Sequence, residues 1–229
     1  MKRKQSQMRK RSDGPLSRDD RQAHRRDGLP IAYDPLQMGW VPAEVLDDLR
    51  PSSSSWRARA QRLKTGEVSG PAAGFGLRRW RQEDARAFRA LLDNPNIWTH
   101  LPDPYTPISD DAAATLIDLS NRSNHHEVRA VIHEGTIVGQ VRLVFAADTD
   151  DTAEISYWLG EDHWGRGYGT AIVQLYTAQS FAAHPGITAL IARVHQGNVA
   201  SRRVLEKAGY TCEGLDPSDP DHYIYRISR

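Results

Sequence analysis

The fourteen residues from His163 to Tyr176 (HWGRGYGTAIVQLY) hold three glycines at alternate positions, Gly165, Gly167 and Gly169. Glycine tolerates positive φ and close approach to its backbone, and the first N–H groups of a helix have no intrahelical partner. A glycine turn opening a helix is therefore an anion site, suited to a phosphate or pyrophosphate. Two nucleotide patterns do not fit: no Gly-Lys-Ser/Thr follows, and alternate glycines are not GxGxxG. A second polar cluster follows in Gly197 to Tyr210 (GNVASRRVLEKAGY), where Asn198 can cap a helix, Ser201 falls in its first turn and Gly209 can end it in the left-handed region.

The elements around these residues give the glycines their context. Thr152 to Leu159 (TAEISYWL) alternates Ile155, Tyr157 and Leu159 with Glu154, Ser156 and Trp158, which predicts a strand. After the turn, Tyr168, Ala171, Ile172, Leu175 and Ala182 share a helical face. Ile187 to Val194 is a further apolar run leading into the Asn198 helix, which extends to about Ala208. The order is strand, glycine turn, helix, strand, helix.

Together these segments resemble the GNAT superfamily of acyl-CoA N-acyltransferases, in the branch similar to ribosomal-protein N-terminal acetyltransferases (RimJ/RimL-like). The resemblance spans about Gly74 to Arg229. The superfamily signature, Gln/Arg-x-x-Gly-x-Gly/Ala, is met by Trp164, Gly167 and Gly169, with Trp a departure in the first position; a second frame, Arg166, Gly169 and Ala171, satisfies the letters but begins later. The implied fold is α/β, a mixed but mostly antiparallel sheet of six or seven strands flanked by helices, and the implied activity is acetyl transfer from acetyl-CoA to a primary amine.

The resemblance also implies site roles. The amides of Gly165, Arg166, Gly167, Tyr168, Gly169 and Thr170 would hold the CoA pyrophosphate, Trp158 and Leu159 would pair with the pantetheine arm like an added strand, and Asn198 would border it. A main-chain N–H near Trp158 would polarise the thioester carbonyl, worth ~3 kcal/mol by analogy with other oxyanion donors. Many relatives carry a leaving-group tyrosine seven residues after the asparagine; here that position is Leu205. Ser201 matches the serine of the similar branch and would donate to the sulfur, or it is an ordinary first-turn residue. Glu154 and His195 are the candidate bases; the alternatives are a solvated strand residue and a residue orienting Asn198. A glutamate that some relatives place five residues before the asparagine is Arg193 here. With no strong base, a low-pKa acceptor is favoured, because freeing an α-amine at pH 7 costs about 1 kcal/mol and a lysine nearly 5 kcal/mol. Trp98 and Tyr105 are candidate acceptor contacts or core residues.

Elsewhere the sequence predicts a strand at Leu77 to Trp80, a helix from Gln82 to Asp93, a proline-rich irregular segment from Ile97 to Pro107, and a helix capped by Ser109. Strands follow at Glu127 to Ile132 and Thr136 to Phe145, joined by a hairpin turn at Glu134-Gly135, then at Leu190 to Val194, Tyr210 to Glu213 and Tyr223 to Ile227. His125, His126 and His133 lack a further ligand at metal-binding spacing, so no metal is expected, and the single Cys212 excludes an intrachain disulfide.

At 39% hydrophobic residues over 229, the chain can bury one full core. Residues 1–39 read as a disordered basic tail, 40–73 as a short helical extension and linker, and 74–229 as the acetyltransferase domain. The extension would hold one helix from Trp40 to Arg50, starting at Pro42, and another from Trp56 to Leu63. Met1 to Arg26 carries ten Lys/Arg against three Asp/Glu, so a chain of formal net charge +1 is −6 outside that stretch. The tail is either a tether to nucleic acid, ribosome or another acidic surface, or a solubilising segment. With no run of eighteen apolar residues and no signal region, a cytoplasmic protein without membrane contact is expected. The expected partners are acetyl-CoA and an amine acceptor, either a peptide N-terminus or a small amine, with a homodimer as one possible assembly. A catalytically silent CoA-binding module that docks a partner through its extension is the rival reading.

Overall fold

The computed structural model describes residues 31–34, 39–42, 68–69, 74–100, 105–123, 126–145 and 151–229. Residues 1–49 and 50–229 form two separate units. In the first, β1 (Ile31–Asp34) pairs antiparallel with β2 (Gly39–Pro42), Ile31 opposite Pro42 and Asp34 opposite Gly39. A strand thus occupies part of the stretch read as a tail, and Trp40 and Val41 are in a strand where a helix was expected. Trp and Val are strong β-formers by residue type, and Pro42 stands at the strand end, where a missing N–H is tolerated. The remainder of that helix and the one expected from Trp56 lie outside the described residues.

The second unit is built on one sheet in the order β3-β4-β5-β6-β7-β8-β10-β9. Its strands are β3 (Val68–Ser69), β4 (Phe75–Arg78), β5 (His126–His133), β6 (Thr136–Phe145), β7 (Thr152–Leu159), β8 (Ala189–His195), β9 (Thr211–Asp216) and β10 (Asp219–Ser228). All pairings are antiparallel except β7 with β8. This is the mixed, mostly antiparallel sheet expected, with the two-residue β3 added from the stretch read as linker. The turn between β5 and β6 has positive φ at Glu134 and Gly135, as a two-residue hairpin requires.

Among the described residues, four α-helices flank the sheet: α1 (Ala85–Leu92), α2 (Asp110–Arg122), α3 (Tyr168–Ala183) and α4 (Val199–Lys207). Strand alternation decides which helix meets which side chain. Ala153, Ile155 and Leu159 of β7 join Ile172, Val173 and Leu175 of α3 and Leu205 of α4 in the main core. Trp158, of opposite parity, meets Phe88 of α1 edge to face at 5.9 Å, and Phe88 meets Trp80 in turn. A parallel pair needs a crossover, and α3 supplies it between β7 and β8. Among the described residues, no helix is long and apolar enough to cross a membrane.

The register of β7 with β8 runs through Thr152–Ala189, Ala153–Leu190 and Glu154–Ile191 and stops there. Beyond it, β7 stays on β6 as far as Leu159 opposite Gly139, while β8 stays on β10 as far as His195 opposite His222. The sheet therefore divides between two strands that remain paired to their outer neighbours.

Candidate active site

The glycine turn lies at the end of β7, beside this division. Gly165 and Gly167 take φ of 72° and 78°, and a β-carbon at either would meet nothing within 4 Å. They are there for backbone conformation and leave the turn open. The first intrahelical bond of α3 runs from Ala171 N–H to the Gly167 carbonyl at 3.2 Å, so the N–H groups of Tyr168, Gly169 and Thr170 precede it. The first turn holds neither Asp nor Glu, and the exposed Arg166 adds positive charge. Nearby, burial first, and then Arg166 and His133, hold the His163 imidazole below its ordinary pKa.

Gly169 differs. It is buried, and a β-carbon there would stand 3.1 Å from Val204 Cγ2 of α4. Its smallness serves close packing of α3 on α4. The Tyr168 side chain turns toward the β4–β5 side of the sheet, where its hydroxyl lies 3.3 Å from His133 Nδ1 and its ring packs on Phe75. Trp164 is 45% exposed, yet its indole Nε1–H donates to the Leu159 carbonyl at 2.8 Å, fixing the turn to the end of β7.

Backbone groups alternate between the two edges of a strand. Just past β7, the Gly160 N–H donates to the Val138 carbonyl of β6. Trp158, two residues earlier, therefore directs its main-chain groups toward β6, and Tyr157 and Leu159 direct theirs into the division. The amides facing the gap are those of Tyr157 and Leu159; of the two residues expected to line it, Leu159 faces it and Trp158 faces β6.

On the opposite wall, Asn198 caps α4: its Oδ1 accepts from Ser201 N–H at 3.0 Å. The Ser201 hydroxyl lies 2.9 Å from the hydroxyl of Tyr157, which the sequence marks only as an inward strand residue. Burial pushes the Tyr157 phenol up to about 12, against the opposing effect of its bond to Ser201. Leu205, in place of the family's tyrosine, is fully buried.

Neither candidate base is at liberty. The Glu154 carboxylate is ion-paired with the Arg193 guanidinium, whose Nε also donates to Asp216 Oδ2 at 2.7 Å. His195 Nδ1 accepts from Gly197 N–H at 3.1 Å, so in the neutral ring the proton is on Nε2 and the remaining lone pair is already engaged. The Asn198 N–H donates to the His195 main-chain carbonyl at 2.9 Å. Across the sheet, Trp98 is buried with its indole N–H donating to the Leu92 carbonyl at 2.8 Å. The half-buried Tyr105 donates to Asp93 Oδ1 at 2.6 Å. Among the described residues, no three His, Cys, Asp or Glu side chains could hold a metal ion together.

Residues 75–211 match the acetyltransferase (GNAT) domain family. An N-acetyltransferase of Bacillus licheniformis, p20, described as uncharacterized, is 25% identical over 143 residues, covering 61% of this chain and 80% of p20. Among solved structures, the microcin C7 self-immunity acetyltransferase MccE, in complex with acetyl-CoA and AMP, superposes with a TM-score of 0.61 at 19% identity, covering 70% of this chain and 98% of that one. RimL, the ribosomal L7/L12 α-N-protein acetyltransferase, in complex with coenzyme A, superposes at 0.59 with 18% identity, covering 68% and 94%.

Proposed function

Because this chain belongs to the GNAT acetyltransferase family, we propose that it transfers an acetyl group from acetyl-CoA to a peptide α-amine or small primary amine, in the RimL-like branch. The observation that carries this reading is the division between β7 and β8 opening beside the glycine turn at the start of α3. Pyrophosphate oxygens suit the amides of Gly165 to Thr170, and the pantetheine arm, itself rich in amides, suits the strand edge of Tyr157 and Leu159. One of those two N–H groups polarises the thioester carbonyl. The amine lone pair attacks that carbon, the C–N bond forms, the nitrogen gives up its surplus proton to solvent, the C–S bond breaks, and the thiolate leaves against a hydrogen bond from Ser201.

The acceptor class follows from the bases. Glu154 is paired and His195 has its lone pair engaged, so the acceptor must reach the site with its own lone pair free. RimL, by its description, acetylates a protein α-amine, and an α-amine meets that condition near neutral pH. The same two observations favour the rival reading of a silent CoA-binding module. Turnover separates them: acetyl-CoA is incubated with a panel of peptides and small amines, with thiol release and acetylated products followed by mass spectrometry. Steady release with one acetylated acceptor class supports the enzyme, and acetyl-CoA binding without release from any acceptor supports the module.

A further inference from the structure

Of the hydroxyls around the division, the acetyl-transfer reading uses only Ser201 and leaves the one that touches it without a role. Tyr157 stands on β7 three residues past the last pairing with β8, with its ring against the core formed by α3 and α4. Its hydroxyl is 2.9 Å from Ser201 Oγ and 3.4 Å from the Ser201 carbonyl oxygen. Ser201 is held from the other side by the Asn198 cap on its N–H. The serine's backbone is thus fixed, and the single freedom left at its oxygen is the direction of its own proton.

Two hydroxyls at 2.9 Å share one proton between them, and which one donates decides what the other can do. A phenol is a far stronger acid than an aliphatic alcohol and so the better donor. The Ser201 carbonyl, an acceptor only, competes for the same phenolic proton from 3.4 Å, and the shorter contact at 2.9 Å to Oγ is the better placed to take it. With Tyr157 donating, Ser201 Oγ accepts there and its own O–H must turn elsewhere, away from Tyr157. We propose that Tyr157 is a positioning residue for acetyl transfer: by donating to Ser201 Oγ it turns the serine O–H toward the leaving sulfur and strengthens that donor. No proton changes owner between the two hydroxyls; the thiolate leaves hydrogen-bonded to Ser201 and takes its proton from solvent. Burial supports the assignment, because a phenol held up to about 12 stays a donor throughout the working pH range.

The proposal rests on the acetyl-transfer reading, and a double-mutant cycle on the full chain tests the two separately. Tyr157→Phe keeps the ring in the core, and its thermal midpoint and acetyl-CoA Kd are measured beside kcat. The expected result is a kcat lower by about three- to thirtyfold with Kd within about twofold. Ser201→Ala should show a similar loss, and the double variant should be no slower than Ser201→Ala alone. Losses that multiply, or a wild-type kcat in Tyr157→Phe beside a slow Ser201→Ala, would overturn the role of Tyr157 and leave the acetyl-transfer reading intact. A wild-type kcat in Ser201→Ala would remove the serine donor and the proposal with it. Should Tyr157→Phe fold poorly, a ring-fluorinated tyrosine at the same position keeps the shape and makes the phenol more acidic. An alkaline fall in kcat, absent from the wild type up to the limit of its stability, should then appear within the measurable range, and a profile without such a fall overturns the proposal.

Discussion

Gly139 of β6 lies so close to Trp158 of β7 that a β-carbon on the glycine would overlap the Trp158 carbonyl oxygen and touch the Leu159 side chain. The end of β7, which carries the gap-facing amides of Tyr157 and Leu159, is therefore seated on a bare backbone. Gly139→Ala should push that end outward. We expect acetyl-CoA affinity to fall by at least tenfold, with a stability loss of about 1–3 kcal/mol as in other overpacked sites. Calorimetric titration and thermal melting check both. An unchanged Kd in a folded variant would mean that this edge does not receive the pantetheine arm.

The glycines of the turn should separate by mechanism. At Gly167 a β-carbon has open space around it and positive φ, so Gly167→Val should strain the turn and obstruct the pyrophosphate while α3 and α4 stay packed. Gly169→Val presses instead on Val204, so its main effect should be on folding, and Val204→Ala should partly restore it. Equal loss of CoA binding at matched stability in the two variants would contradict this division.

Much of this arrangement is legible in the sequence wherever a local rule operates. Thr152–Leu159 and Thr136–Phe145 appear at their expected bounds because alternation and a hairpin turn mark them. Asn198 caps α4, and Gly209 takes φ of 97° after it, because cap chemistry is local. What escaped depends on distant partners. Arg193, which takes the Glu154 carboxylate, is 39 residues away, and Ser201 is 44 residues from Tyr157. Glycine spacing alone cannot tell Gly167, which bends the chain, from Gly169, which admits a second helix. Trp40 and Val41 show the limit of short apolar patterns, which fit a strand as readily as a helix.

The Arg193 bridge makes a prediction about acid stability. Burial by itself would raise the Asp216 carboxyl, but the Ser218 hydroxyl and N–H and the Arg193 guanidinium outweigh it and hold the group below its ordinary value. A carboxyl more acidic in the folded state contributes stability that is complete above the unfolded value, about pH 4, and is lost as pH falls through the lower folded value. Arg193→Met removes one of the groups that hold it down. It should lower stability at pH 7 by about 2 kcal/mol and flatten the acid side of the stability profile, as read by urea melts from pH 7 to pH 3. A profile parallel to wild type would show that Ser218 alone holds the carboxylate.

The acceptor's own ionisation should set the pH dependence of the reaction, because neither Glu154 nor His195 is available to take a proton from an ammonium. The reactive species is the neutral amine, and its fraction rises tenfold per pH unit below the amine's pKa. For a peptide α-amine of pKa about 7.8, kcat/KM should climb with unit slope and level off near that pH. For the same peptide blocked at its N-terminus and offering a lysine of pKa about 10.4, the climb should continue about 2.6 units further. At pH 7 that difference alone disfavours the lysine by about 340-fold. Tyr157 imposes no fall of its own below about pH 12, so the alkaline limb is open to measurement up to the limit of protein stability. A protein base would give the opposite result, with both acceptors levelling off at one enzyme pKa. In that case Glu154→Gln and His195→Gln, measured at pH 6, would identify which group had left its partner in the complex.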